Sequence, residues 1–152
     1  SGNSKGRRDM HRPYNAEYCE GPVDRLYAAM PMLSPSTDII CGFPGETDQE
    51  FNNTVELAKR CRFTKIHVFP YSKRQGTPAA ERADQIEPEV RSARAKQLRE
   101  VADALRVQQL SDRAGTTELA LVEEAGQAMT ESYFEVPAPK GARIGQLVSV
   151  VL

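Results

Sequence analysis

The sequence predicts an α/β fold: two parallel strand–turn–helix units followed by a small antiparallel β-module. Three observations carry that reading. Thr37 to Thr47, TDIICGFPGET, runs an apolar stretch into a glycine turn and then a T-x-x-E capping box at Thr47 and Glu50. Lys65 to Tyr71, KIHVFPY, is a second short apolar stretch with a helical pattern beyond it. After Gly115 the spacing shortens to strand-like segments divided by turn residues.

In chain order, residues 1–14 carry Lys5, Arg7, Arg8 and Arg12 without apolar periodicity and read as a loop. Val23, Leu26, Tyr27 and Met30 then fall at i, i+3, i+4 and i+7, the stripe of an amphipathic helix. Gly21-Pro22 precedes the stripe, which makes Asn15 to Glu20 either a separate turn or a kinked lead-in. The apolar run at Ile39 to Gly42 predicts a strand buried on both faces, as parallel strands under helices are. Its helix carries Phe51, Thr54, Val55 and Ala58 on one side and ends near Arg60 and Arg62. In the second strand, Ile66, Val68 and Pro70 share one face; His67, Phe69 and Tyr71 share the other, the better candidate to line a cavity. Residues 72–87 form a long connection, and long ordered loops are often functional. Pro88 fits the first turn of a helix to about Leu110, with Val90, Leu98, Val101, Ala102 and Leu105 as its apolar stripe. The β-module is expected as strands at 117–123, 130–136 and 146–152, hinged by Ser111 to Gly115.

Composition narrows the class. The chain has 152 residues, 39% of them hydrophobic, enough for one ordinary core with a small module. A net charge of −1 gives no overall basic field for nucleic acid or anionic membrane. No apolar run approaches the roughly 20 residues of a membrane helix, and nothing at the start reads as a secretory signal. Cys19, Cys41 and Cys61 form no C-x-x-C pair, so they read as reduced thiols of a cytoplasmic protein.

Read from residues alone, GFPGE offers two glycines that permit close backbone approach and a carboxylate at a helix start. Such a turn can bind an adenine or a ribose, or can simply be a tight connection. Both GFPGE and FPYS fall at the C-terminal ends of their strands, where ligands of β/α folds sit.

The combination says more than its parts. TDIICGFPGETDQEF, then KIHVFPYSKRQGTPAA, then DQIEPEVRSARAKQL resembles the radical S-adenosylmethionine methylthiotransferases, and HVFPYSKR is most similar to the branch that modifies threonylcarbamoyladenosine in tRNA. Ser1-Gly2 and Met10 to Tyr14 are similar to that family's segments at the fourth barrel strand, and the β-rich tail resembles its TRAM module. The resemblance implies the C-terminal part of a radical S-adenosylmethionine (β/α) partial TIM barrel over residues 1–111, then a TRAM-like β-module over 112–152. It implies S-adenosylmethionine and two 4Fe-4S clusters as cofactors of the parent enzyme and the tRNA anticodon loop as its partner. The cluster's C-x-x-x-C-x-x-C spacing does not occur here, so the chain is expected to be a catalytically inactive fragment.

Carried over residue by residue, the resemblance puts Ser1 and Arg12 near the ribose and carboxylate of S-adenosylmethionine. It puts Gly42, Phe43, Gly45 and Glu46 near the pocket floor, and Phe69, Pro70 and Tyr71 against the adenine. Arg12 suits a bidentate carboxylate contact or a solvated loop. His67 reads as a hydrogen-bonded barrel residue. Lys73 and Arg74 are candidates for tRNA phosphate, with a solvated charge pair as the plain reading. Residues 112–152 hold three cations against six anions, which weakens a phosphate argument for the module. Tyr133 is its candidate base-stacking residue, although core packing of both Tyr133 and Phe134 is the simpler expectation. The basic N-terminal loop and the arginines of 91–106 are the alternative anchors.

The alternatives are a methylthiotransferase acting on isopentenyladenosine of tRNA or on a ribosomal-protein aspartate, or a non-catalytic RNA-binding module. Two strands removed from a barrel would also leave an open edge and an uncovered face, from which self-association is expected.

Overall fold

The computed structural model describes the backbone from Ala16 to Leu152 and the side chains from Glu20 onward. Ser1, Arg12 and the other basic residues of the opening loop lie outside the described residues, as does the side chain of Cys19.

Helix α1 (Ala16–Ala29) is continuous and contains Pro22, so the separate turn expected before the stripe is absent and the lead-in belongs to the same helix. Its stripe is only partly covered: Val23 and Tyr27 are half-buried, while Leu26 and Met30 face solvent. Strand β1 (Ser36–Cys41), helix α2 (Asp48–Arg60) and strand β2 (Lys65–Pro70) follow. β1 and β2 pair in parallel, from Ser36 opposite Lys65 to Cys41 opposite Pro70, so both strands end at the same edge. The capping box of α2 is formed as its sequence dictates. The Thr47 hydroxyl accepts from the Glu50 amide, and the Glu50 carboxylate accepts from the Thr47 amide.

One expectation is corrected at β1. It is buried on one face, not both: Ile39 and Cys41 are buried, while Ile40 is 37% exposed. α2 and α4 (Pro88–Asp112) supply Phe51, Val55, Ala58, Ala95 and Leu98 to the covered side, joined there by Ile66 and Val68. Asp38, Ile40, His67 and Phe69 share the other side, where Phe69 is 50% exposed. The sequence pattern is apolar enough for two covers. Only one is present among the described residues.

The 72–87 connection holds a one-turn helix, α3 (Pro78–Glu81), capped by Thr77. The stripe of α4 holds at Leu98, which is buried, at Val101, which packs against the core, and at half-buried Ala102 and Leu105, but not at Val90. Its buried residues are Arg94, Ala95, Leu98 and Gln109, and Val90 is exposed.

The last part is a four-stranded antiparallel sheet in the order β5-β4-β3-β6, comprising β3 (Thr117–Glu124), β4 (Gln127–Thr130), β5 (Glu135–Pro137) and β6 (Leu147–Val151). The strand expected at 130–136 is instead a turn between β4 and β5. Tyr133 sits in the left-handed region (φ 62°), and Thr130 and Phe134 close the turn by hydrogen bonds. Ala120, Val122, Ala128 and Val150 form the core of this sheet. Phe134 is buried, but Tyr133 is 60% exposed, so core packing of both aromatics is corrected to one.

Arg113 ties the two parts together. Its buried guanidinium donates to the Met32 and Leu33 carbonyls (3.0 and 2.9 Å), to Ser34 Oγ (2.8 Å) and to Gln109 Oε1 (2.7 Å), with Glu118 Oε1 3.6 Å from Nε. The Arg106 and Arg113 guanidinium groups both stand over the Phe134 ring, at 4.8 and 5.7 Å from its centroid. Because Met32 to Ser34 lead into β1, the β-module docks at the N-terminal end of the parallel pair. Among the described residues no helix is long and apolar enough to cross a membrane.

Candidate functional site

The C-terminal tips of β1 and β2 are joined by the Tyr71 amide, which donates to the Cys41 carbonyl at 2.8 Å. The chain then turns sharply at Gly42. Its φ of +72° is one that L side chains rarely adopt. A Cβ there would lie 2.4 Å from Cγ of Arg91, so the guanidinium stem of α4 passes directly over the turn. Arg91 Nη1 donates to the Tyr71 carbonyl at 2.9 Å, so one side chain rests on the first tip and is fixed to the second.

Below this, the loop is held by a buried ion-pair network. Glu46 accepts from the Gly42 amide and from Arg94 Nη1 (3.0 Å), which also reaches the Glu46 carbonyl. Arg94 Nη2 spans to Asp48 at 2.6 Å. Burial pushes the Glu46 carboxyl above its ordinary range, against the Gly42 amide and Arg94, which favour the ionised form. Burial also raises the Cys41 thiol, to about 11, and the Glu46 charge adds to that shift, so Cys41 is a protonated thiol at neutral pH. The outer side of the loop is pinned where the Gly45 amide donates to the Asp84 carbonyl (2.8 Å), and Asp84 is clamped bidentately by Arg82.

The walls of the site are aromatic. The Phe43 and Tyr71 rings meet edge to face with centroids 5.4 Å apart, and the Arg82 guanidinium stands 5.9 Å over Phe43. The phenolic oxygen of Tyr71 is buried without a hydrogen-bond partner among the described residues. Phe69 and Pro70 are exposed beside it.

The structure therefore brings together Gly42, Phe43, Gly45, Glu46, Phe69, Pro70 and Tyr71. Glu46 faces inward as a structural anchor of the turn and leaves the exposed side of the tips to the aromatics. Lys73 and Arg74 are exposed just past the tips. Tyr133 is not with them. Its ring lies 5.9 Å from Lys65 Nζ, at the start of β2, about 20 Å away along six residues at roughly 3.3 Å each. Sequence reasoning missed Arg82 and Asp84, and it took Arg91 and Arg94 only as part of the arginines of 91–106 offered as RNA anchors; Arg94 is instead buried on Glu46 and Asp48. A signal for Arg94 was present: it stands between Val90 and Leu98 at spacing four, a charge inside an apolar stripe, which demands a buried partner.

No metal-holding group of three or more His, Cys, Asp or Glu side chains occurs among the described residues, and Cys41 and Cys61 are buried. No family model matches the chain. Individual relatives do. The chain is 38% identical over 131 residues to the tRNA-2-methylthio-N(6)-dimethylallyladenosine synthase of Carboxydothermus hydrogenoformans, covering 86% of this chain and 29% of that protein. It is 41% identical over 105 residues to the threonylcarbamoyladenosine tRNA methylthiotransferase MtaB of Bacillus subtilis, covering 69% of this chain and 23% of that protein. A tRNA-2-methylthio-N(6)-dimethylallyladenosine synthase of Desulfitobacterium hafniense is 35% identical across the whole chain, which spans 36% of its length. The chain belongs to the methylthiotransferase family that its motifs resemble, and spans about a third or less of the length of these relatives.

Proposed function

We propose that this chain supplies one wall of the S-adenosylmethionine and substrate pocket of a tRNA methylthiotransferase that adds a methylthio group to threonylcarbamoyladenosine beside the anticodon. The observation that carries the reading is the meeting of the two strand tips. The Tyr71 amide bonds the Cys41 carbonyl, with an edge-to-face aromatic pair and a phenol without a partner among the described residues at the edge where β/α folds bind ligands. The uncovered face of Asp38, Ile40, His67 and Phe69 supports a partial barrel, whose interior that face would line.

The residues present fit S-adenosylmethionine. Phe43, Phe69 and Tyr71 offer ring faces beside the strand tips, and the Tyr71 hydroxyl lacks a partner among the described residues. When bound, S-adenosylmethionine supplies the radical chemistry of such a reaction. This chain's residues orient the nucleoside, and the Glu46–Arg94 network keeps the turn rigid while they do so. The described residues do not fit a 4Fe-4S cluster: their two thiols are buried, and no ligand group is assembled among them. No step is assigned to a cluster on this chain.

For tRNA, exposed Lys73 and Arg74 past the tips suit backbone phosphate. Tyr133, beside Lys65 and with its carbonyl held by Arg106, is a second contact that only a long ligand could reach at the same time. The β-module is read as a TRAM-like domain and the protein as cytoplasmic. Among the described residues the parallel pair has open edges, and these with exposed Phe69 support self-association of the chain, which light scattering reads directly. Two of the three relatives described above are named as dimethylallyladenosine synthases, which favours isopentenyladenosine as the second substrate reading.

A chimera decides between them. The matching stretch of the B. subtilis threonylcarbamoyladenosine enzyme is replaced by this chain in a strain lacking that enzyme, and tRNA nucleosides are read by mass spectrometry. Restored 2-methylthio-threonylcarbamoyladenosine is expected. A soluble, iron-loaded chimera that leaves the base unmodified contradicts the reading, and methylthiolation of dimethylallyladenosine instead moves it to the second substrate.

A further inference from the structure

The strand-tip site contains three arginines, and two are spent. Arg94 is buried between Glu46 and Asp48, and Arg82 forks onto Asp84. Arg91 differs. It is half-buried, has no carboxylate within ion-pair distance among the described residues, and gives a single N–H to the Tyr71 carbonyl. That bond fixes the guanidinium at the mouth of the site, and the Gly42 turn braces its stem at a distance no Cβ would tolerate. The remaining N–H groups keep the fork geometry that matches a carboxylate. Nearby, the Tyr71 hydroxyl is buried without a partner among the described residues.

We propose that Arg91 is the carboxylate anchor of the strand-tip site, and that through it the site selects an adenosine whose N6 substituent carries a carboxylate over one whose substituent is a hydrocarbon. This rests on the strand tips binding a nucleoside, as proposed above. A threonylcarbamoyl group ends in a carboxylate, whereas a dimethylallyl group has no polar atom. Placing a carboxylate among Phe43, Phe69 and Tyr71 without a partner would be costly, and Arg91 removes that cost. The discrimination follows the general asymmetry in which a polar partner in a site separates ligands far better than apolar fit does. The same carboxylate chemistry exists in the methionine tail of S-adenosylmethionine, so the test must separate the two sources.

The experiment is calorimetric titration of the chain with three probes: threonylcarbamoyladenosine, dimethylallyladenosine and S-adenosylhomocysteine. Each is run against wild type, Arg91→Gln and Arg91→Lys, with thermal melts to verify folding. The expected result is a preference of about tenfold or more for threonylcarbamoyladenosine, as one charge-assisted pair provides. Arg91→Gln should abolish that preference, Arg91→Lys should keep part of it, and S-adenosylhomocysteine affinity should not change. A preference that survives Arg91→Gln overturns the proposal. Weakening of S-adenosylhomocysteine alone assigns the carboxylate to the methionine tail and overturns the selectivity claim. If both adenosines bind equally to wild type, this inference fails while the nucleoside site stands. If no probe binds, the strand-tip site itself fails.

Discussion

Gly42 is where a single residue decides the site. Its positive φ and the Arg91 stem above it leave no room for a Cβ. Gly42→Ala should cost about 1–3 kcal/mol in a urea melt, by backbone strain and by displacing Arg91. In Arg91→Ala the steric part should be relieved, so the double variant should lose less than the two single variants together. Cys41 gives a second test at this scale. With its thiol raised to about 11 against an ordinary 9.0, it should resist iodoacetamide at pH 8 in the folded chain and react on unfolding, read by peptide mass spectrometry. The native state holds this proton more tightly than the unfolded chain, so the Cys41 contribution to stability should fall between pH 9 and about 11. Gly42, Phe43, Phe69 and Tyr71 were legible because glycine turns and strand ends announce themselves locally. Arg91 was not, since its partner is the Tyr71 carbonyl, 20 residues earlier, and backbone carbonyls leave no mark in a sequence.

Among the elements, α2 was the most readable. Its capping box is a local rule, and Thr47→Ala should cost about 1 kcal/mol of stability, checked by chemical denaturation. On α4 the covered residues Leu98, Val101, Ala102 and Leu105 follow the expected stripe, and the part that was missed is ionic: Arg94 takes a core position to meet Glu46, 48 residues away. Arg94→Ala should therefore be severe, about 3–5 kcal/mol, since it leaves the Glu46 charge buried without its partner. Glu46 already holds its proton above the ordinary range, so the folded variant binds a proton more readily than the unfolded chain. Its deficit should shrink as the pH falls from 7 to 5, and urea melts at both values measure this. The misplaced strand at 130–136 has a similar cause. TESYFEV alternates like a strand, but Ser132 bonds Glu118 through its hydroxyl at 2.8 Å and pulls the segment into a turn.

For the whole molecule, Arg113 is the joint between the helical part and the β-sheet. Most of its partners are backbone carbonyls and a serine about 80 residues away, which is why the docking was invisible in the sequence although both parts were anticipated. Arg113→Ala should uncouple them. We expect the unfolding transition to split or broaden, and proteolysis to appear near 112–116, with the α/β part still folded. An unchanged single transition would show that Phe134 and Arg106 suffice as the joint.

The central claim is that the paired tips after Cys41 and Pro70 bind a nucleoside. Amide chemical-shift mapping of the isotope-labelled chain with S-adenosylhomocysteine tests it most directly. The account predicts perturbations concentrated at Gly42, Phe43, Gly45, Glu46, Phe69 and Tyr71, with the sheet from Thr117 to Val151 unmoved. Shifts confined to that sheet, or to its joint with Met32 and Ser34, would contradict it.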